Sequence, residues 1–487
     1  MAAACGCSSI VAVTEHGDVY ACGPGTGTRL SSALMPHPAL PQEHEPARRS
    51  AGKAILIVAA GHYHHAMVDE DGALLTSGDG AYGRTGHGDE QPRRQLARLP
   101  REVFRGSPVT QVTCGWRHTL AITADGRAWT CGYNSNGQLG LGDTARRLVF
   151  TQVDAVQFRD ARIVVVASGS DHSVAVSAEG CMWTWGKGWF GCLGHNDEQD
   201  RLAPVLLAQE QFEGSKIITV ACGRRHSVAV GERGALWAWG YGSYGQLGLG
   251  HTENTLVPAW VGAEEVFGGS KVLLAACGFN HTLAVTRAGA VWAWGYGRHG
   301  QLGLNDELNR LSPTMLNEQC FALARIRAVA GGDRQSAAVT EHGELYTWGR
   351  GQAAGPEGNN GALGHTGGRD VRNRLLPALL PPHLLDGARV GRCHGLRVEH
   401  ALAFCMGTHA RLGAGTALAG AKGKRRSRRT QGKAAAAGEG KGCYVCKLPG
   451  ELVRRVVEAC VWGGTGKLGE GVVRLMGGGA GRGQGRR

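Results

Sequence analysis

Apolar and polar residues alternate with period two over short stretches of the chain, and the stretches recur. Residues 172–180 read HSVAVSAEG and residues 281–289 read HTLAVTRAG, each the pattern of a half-buried strand. A Gly-containing turn leads into a second strand whose alternate positions are large: CMWTWG at 181–186, ALWAWG at 235–240 and AVWAWG at 290–295. That arrangement predicts a β-hairpin. IVVVASG at 163–169 and VLLAACG at 272–278 supply a third strand. LAPVLL at 202–207 contains Pro204 and fits an edge strand, where a missing N–H is tolerated. No helical period intervenes, so the pattern predicts four strands per unit.

The unit has a fixed length. Its anchor glycine recurs at Gly6, Gly61, Gly115, Gly169, Gly223, Gly278 and Gly332, with successive gaps of 55, 54, 54, 54, 55 and 54 residues. Three residues after the anchor stands His64, His118, His172, His226 or His281, replaced by Ser9 in the first copy and Gln335 in the last. A lone four-stranded sheet cannot bury both faces, so the copies must stack. Radial stacking into a propeller does this and leaves only short edges. Seven copies predict an all-β, seven-bladed β-propeller over residues 1–406. The Trp pairs Trp237/Trp239 and Trp292/Trp294 are placed to fill the gaps between blades. The first copy starts without a leading strand, and residues 376–406 carry strand-like sequence; the expectation is that this C-terminal stretch completes the first blade.

The copies CGWRHTLAITADGRAW, CGRRHSVAVGERGALWAWGYGSYGQLGLG and CGFNHTLAVTRAGAVWAWGYGRHGQLGL resemble the regulator-of-chromosome-condensation repeat family. The resemblance implies a seven-bladed propeller. It also implies guanine-nucleotide exchange on a small GTPase as a function, with acidic and His residues of the Gly-x-x-His loops as the functional groups. Asp171 and Asp333 match that residue type, whereas Trp116 and Arg117 stand where the preceding blade wants an acid. A photoreceptor branch of the family carries GWRHT in several copies; this chain carries it once, at residues 115–119.

Composition narrows the class. Gly accounts for 79 of 487 residues, against a usual share of about 7%. The longest apolar runs, such as 55–60 and 163–167, are strand-length, and none approaches the roughly 18 residues of a membrane span. The start, MAAACGCSSI, lacks the basic and apolar regions of a secretory signal. Fifteen dispersed Cys residues fit reduced thiols in the nucleus or cytoplasm. The net charge of +13 is uneven. Residues 1–406 carry 36 basic and 36 acidic side chains, and residues 407–487 carry 17 and 4, so 17 − 4 = +13 lies entirely in the tail.

Motifs for chemistry are few. Gly240/Gly242/Gly245 is a GxGxxG, but it leads into QLGLG and another strand rather than a helix, so it reads as a turn and no cofactor is expected. Gly466-Lys467 lacks the first Gly and the Ser/Thr of a phosphate loop, which stand as Val461 and Leu468. The recurring His suits a structural role, bonding loop backbone at the start of a buried strand, better than a metal ring. Cys443 and Cys446 form one CxxC with only Cys460 nearby, short of the four ligands of structural zinc. No catalytic residue is assigned.

The two variable residues between Gly and His are the candidate binding surface. They are His62/Tyr63, Trp116/Arg117, Ser170/Asp171, Arg224/Arg225, Phe279/Asn280 and Asp333/Arg334. On superposed repeats they form a ring on one face of the disc, rich in residue types that make interface hot spots. The alternative is solvated loop tips. In the tail, Lys422, Lys424, Arg425, Arg426, Arg428 and Arg429 read as a nuclear-import signal or phosphate-binding arm, with Ser427 among them. Residues 449–462 have the period of a short amphipathic helix within a basic Gly/Ala-rich, largely disordered tail, 407–487. The sequence therefore predicts a non-enzymatic interaction scaffold for a protein partner such as a small GTPase, without a membrane role. The alternative is a nuclear adaptor holding chromatin or RNA through the tail.

Overall fold

The computed structural model describes residues 2–6, 10–13, 19–22, 53–262, 264–350, 363 and 373–380. These form seven antiparallel sheets. Sheet I has three strands, β1 (Ala2–Cys5), β2 (Ile10–Val13) and β3 (Val19–Cys22). Sheet II has four, β4 (Ile55–Ala60), β5 (His64–Asp69), β6 (Leu74–Gly78) and β7 (Arg93–Arg98), paired in chain order. Sheets III to VII repeat that order over 109–152, 163–206, 217–260, 272–315 and 326–379.

Six complete blades, II to VII, stand where seven were expected. The expectation about the first copy is also reversed. Ala2–Cys5 is its leading, inner strand, pairing with Ile10–Val13 in the register Ala3↔Ala12 and Ala4↔Val11. Among the described residues what sheet I lacks is the outer strand. Four small residues are too weak a pattern to announce a strand in isolation; packing on both sides supplies what propensity does not. Nor do residues 376–379 close the first blade. Arg374–Leu379 pairs with Leu345–Gly349 as the outer strand of sheet VII. Residues 381–406 lie outside the described residues, as does the tail 407–487 with the segment 449–462.

The second strand of each blade is buried on both faces, not one: all six residues of His172–Ser177 are buried. Period two then separates the neighbours. Ala175 packs toward sheet III with Leu120 and Ile122, whereas Val174 and Val176 pack toward sheet V with Trp237 and Trp239. Sheet I closes the circuit in the same way. Ala3, Ile10 and Ala12 pack with Ala328, Val339 and Leu345 of sheet VII, and Ala4, Val11 and Val13 with Ile55, Met67 and Leu75 of sheet II.

The recurring His locks successive blades together. His172 Nε2 lies 3.0 Å from Ser227 Oγ of the next sheet, and the same contact joins His64 to Thr119, His118 to Ser173, His226 to Thr282 and His281 to Ser336. The hydroxyl donates its one hydrogen to a loop carbonyl, as Ser227 does to Cys192 O at 2.9 Å, so the imidazole Nε2–H is the donor to the hydroxyl. The loop backbone expected as the direct partner is thus reached through the neighbouring blade's hydroxyl. The same carbonyl receives a second bond from an indole: Trp239 Nε1 donates to Cys192 O at 3.0 Å, Trp294 to Gln246 O at 3.0 Å and Trp348 to Gln301 O at 2.9 Å. The anchor must be glycine because a Cβ on Gly223 would stand 2.1 Å from His226 Cε1 and 2.6 Å from Gly278 O.

Candidate functional site

The inner strands surround a channel of about 260 Å³ lined largely by small side chains such as Ala4, Ala59, Val112 and Ala275. Consecutive Gly-x-x-His loops are tied around its mouth by backbone bonds: Trp116 N donates to Ser170 O (3.2 Å), Ser170 N to Arg224 O (3.4 Å), Arg224 N to Phe279 O (3.2 Å) and Phe279 N to Gly332 O (2.9 Å). This rigid collar divides the twelve residues singled out by sequence into two sets.

The first residue of each pair, His62, Trp116, Ser170, Arg224, Phe279 or Asp333, lines the mouth. Four of them form one cluster. The His62 ring lies 4.8 Å from Trp116, Trp116 lies 6.0 Å from Phe279, and the Arg224 guanidinium sits 4.4 Å from the Phe279 centroid and 5.4 Å from that of Trp116. Burial, reinforced by Arg84, Arg117 and Arg224, holds the His62 imidazole down to about 4, so it is neutral at neutral pH.

The second residues, Tyr63, Arg117, Asp171, Arg225, Asn280 and Arg334, do not line the channel, and Tyr63, Arg117, Asp171 and Arg225 contact the Gly-rich loops. Arg117 stacks within 5.6 Å of the Tyr82, Trp116 and Tyr133 rings. Arg225 lies over Trp189 at 5.2 Å and Phe190 at 5.1 Å. Tyr63 faces the Arg84 guanidinium at 5.7 Å. Arg334 pairs with its neighbour Asp333 at 3.5 Å, and Asn280 gives its carbonyl to Tyr296 N at 2.8 Å. Asp171 accepts a long bond from Gln138 Nε2 at 3.5 Å. Burial raises the Asp171 carboxyl above the usual range, against the opposing pull of Arg117, Arg224, Arg225 and Lys187.

Sequence reasoning missed the outer half of this face: Arg84, Lys187 and the aromatics of the Gly-rich loops. Those loops were read as turns alone. The signal was a column of the repeat, since Tyr82, Asn136, Phe190, Tyr244 and His299 occupy one register and four of the five are rings. Ring contacts run between adjacent loops, Tyr82 to Tyr133 at 5.0 Å, Phe190 to Tyr241 at 4.8 Å and Tyr244 to Tyr296 at 4.9 Å. Lys187 lies 4.4 Å over Trp189 and pairs with Asp200 at 3.1 Å. The basic run Lys422–Arg429 lies outside the described residues. Among the described residues no group of three or more His, Cys, Asp or Glu side chains could hold a metal ion, and no helix is long and apolar enough to cross a membrane.

Comparison with known proteins bears on what such a face is for. The family model for the RCC1-like domain matches residues 151–439, and two models for the regulator of chromosome condensation (RCC1) repeat match residues 71–122 with 125–176, and 109–138. The ultraviolet-B receptor UVR8 of Arabidopsis thaliana is 36% identical over 341 residues, spanning 69% of this chain and 72% of the receptor. The E3 ubiquitin-protein ligase HERC2 of Mus musculus is 30% identical over 334 residues, 68% of this chain but 6% of the ligase. Among solved structures, Prp20p of Saccharomyces cerevisiae, described with its binding properties to Gsp1p and histones, superposes with a TM-score of 0.60 at 20% identity, covering 78% of this chain and 87% of Prp20p. Human WBSCR16 gives 0.59 at 23% identity, covering 70% and 87%. At those identities the two structures speak to the fold alone.

Proposed function

Since this chain belongs to the regulator-of-chromosome-condensation repeat family, we propose that it is a non-enzymatic scaffold that captures a protein partner on the face carrying the Gly-x-x-His loops. The observation that carries the reading is the collar itself. A hydrogen-bonded arc of five loops holds Trp116, Phe279, Arg117 and Arg225 as half-buried anchors on a rigid support, and preorganised aromatic and Arg anchors are what hot spots require. A small GTPase is the candidate partner, as the family resemblance implies and as the association of Prp20p with Gsp1p illustrates. Exchange on such a partner needs no covalent chemistry, only tighter binding of its nucleotide-free form. The ring neighbours of Trp116 are His62 and Phe279 rather than a second Trp, which argues against ultraviolet reception of the kind for which UVR8 is named. Full closure into seven blades by a further strand on sheet I belongs to the same proposal.

The test is affinity capture with the full chain and with a Trp116→Ala, Arg117→Ala, Asp171→Ala variant, followed by nucleotide-release assays on any small GTPase recovered. The variant should melt nearly as the parent does and capture less partner. Equal capture by both would remove this face from consideration.

Charge distribution favours a second, separable activity. The excess of 17 basic over 4 acidic residues after residue 406 suits chromatin or RNA binding and nuclear import by the tail. Removing residues 407–487 should abolish nucleic-acid retention while leaving capture by the propeller intact.

A further inference from the structure

Arg117 and Arg225 are held differently from the arginines that follow the Gly-rich loops. Arg93, Arg147, Arg201 and Arg310 each pair with an aspartate four residues away in sequence. Arg117 and Arg225 have no carboxylate within ion-pair distance among the described residues, and both guanidinium groups sit 5.1–5.6 Å from the centroids of aromatic rings. A stacked guanidinium keeps its N–H edge free, and that edge matches a carboxylate bidentately. Asp171, whose carboxyl feels the charges of Arg117, Arg224, Arg225 and Lys187, is mostly buried and bonds Gln138 instead.

We propose that this part of the face recognises an acidic protein segment, two of whose carboxylates dock on Arg117 and Arg225 across Asp171. The proposal rests on the scaffold reading and names its partner's chemistry. Charge complementarity selects the occupant. The chain's own tail is basic and does not complement two guanidiniums. A second copy would present the same unpaired guanidiniums, since Asp333 and Asp200 on this face are already paired with Arg334 and Lys187. A continuous phosphate backbone would have to pass Asp79, Asp171, Asp200 and Asp333, which interrupt the cations around the ring. Spaced side-chain carboxylates avoid them.

The experiment is fluorescence anisotropy on the full chain with a labelled peptide of alternating Asp and Ser, its Asn counterpart and a deoxythymidine oligomer of equal length. Arg117→Glu with Arg225→Glu should weaken the Asp peptide about tenfold or more, and the Lys pair, keeping charge but losing the fork, by less. Replacing Arg425, Arg426, Arg428 and Arg429 by Gln should leave the peptide within about twofold and weaken the oligomer. Three results overturn the proposal: the Asn peptide binds as well as the Asp peptide, peptide affinity follows the tail and not the face, or the oligomer loses as much as the peptide in the face variant. A Trp116 triple variant that loses its partner while the Glu pair still binds the Asp peptide normally defeats this inference alone. Undiminished partner capture by the triple variant defeats the scaffold reading instead. A thermal midpoint shared by parent and variants excludes unfolding as the cause of any loss.

Discussion

Trp239 answers two demands at one position. Its indole is fully buried against the preceding blade, edge-on to Phe212 at 6.1 Å, and its N–H is satisfied by Cys192 O. Trp239→Ala should therefore cost about 3–5 kcal/mol in denaturant unfolding, and a loss under about 1 kcal/mol would mean that the site collapses around the gap. His226 sets a pH limit on the next seam, where it bonds Thr282. Burial holds His118, His226 and His281 down to about 3 and His172 to about 4, from an ordinary 6.5. An unfolded imidazole takes up a proton below about pH 6.5 that the folded one refuses, so stability present at pH 7 is lost as pH falls toward 4, by about 1.4 kcal/mol per pH unit for each group. His226→Gln, which copies the natural Gln335, should remove one proton from that slope between pH 7 and 5. A slope unchanged in the variant would locate the acid sensitivity elsewhere.

Three of the described Gly-rich loops carry a device that their sequence half reveals. In sheets III, V and VI a glutamine turns back on its own loop: Gln138, Gln246 and Gln301 accept from the backbone N–H of Asn136, Tyr244 and His299 at 2.9–3.0 Å. Sheets II and IV have Arg84 and Cys192 at that position, and there Tyr82 and Phe190 adopt φ of 64° and 59°. A bulky residue in the left-handed region costs of order 1–3 kcal/mol, and these two rings are the ones under Arg117 and Arg225. Cys192→Gln should supply the missing acceptor, release Phe190 from that conformation and raise the melting midpoint while weakening the Arg225 stack. A lowered midpoint would show that the larger side chain does not fit. The site was legible in the sequence only on its inner side. The variable pairs stand out because their flanks Gly and His are fixed, whereas the outer aromatics sit in stretches whose glycines drew the eye to turn geometry. That six of the twelve residues line the channel and six do not depends on the backbone path of each loop, which spacing alone does not encode.

Closure of the disc is a property of the whole molecule, and there the repeat spacing was a good guide to architecture and a poor one to the seam. The β-branched run IVAV is clear, yet Ala2–Cys5 has no bulk to mark it as a strand. Its role appears only where Gly332 and Gly6 O approach so closely that a Cβ on Gly332 would stand 2.5 Å from that oxygen. Cys5 Sγ reaches Ala330 O at 3.6 Å, and the Gln335 amide donates to Gly6 O at 3.5 Å, replacing the His–hydroxyl latch used between other blades. Apolar packing of sheet I against sheets VII and II adds to these contacts. Deleting residues 1–22 would expose the facing surfaces of sheets VII and II, among them Val339, Leu345, Met67 and Leu75, all now buried. Loss of one wedge leaves an open stack whose end blades are each packed on one side, and such arrays unfold from their ends. Calorimetry should show the single cooperative transition of the full chain give way to a broader, lower one, with sheets II and VII losing amide-exchange protection first. A truncated chain that melts as sharply and as high as the parent would mean that the N-terminal sheet contributes nothing to closure.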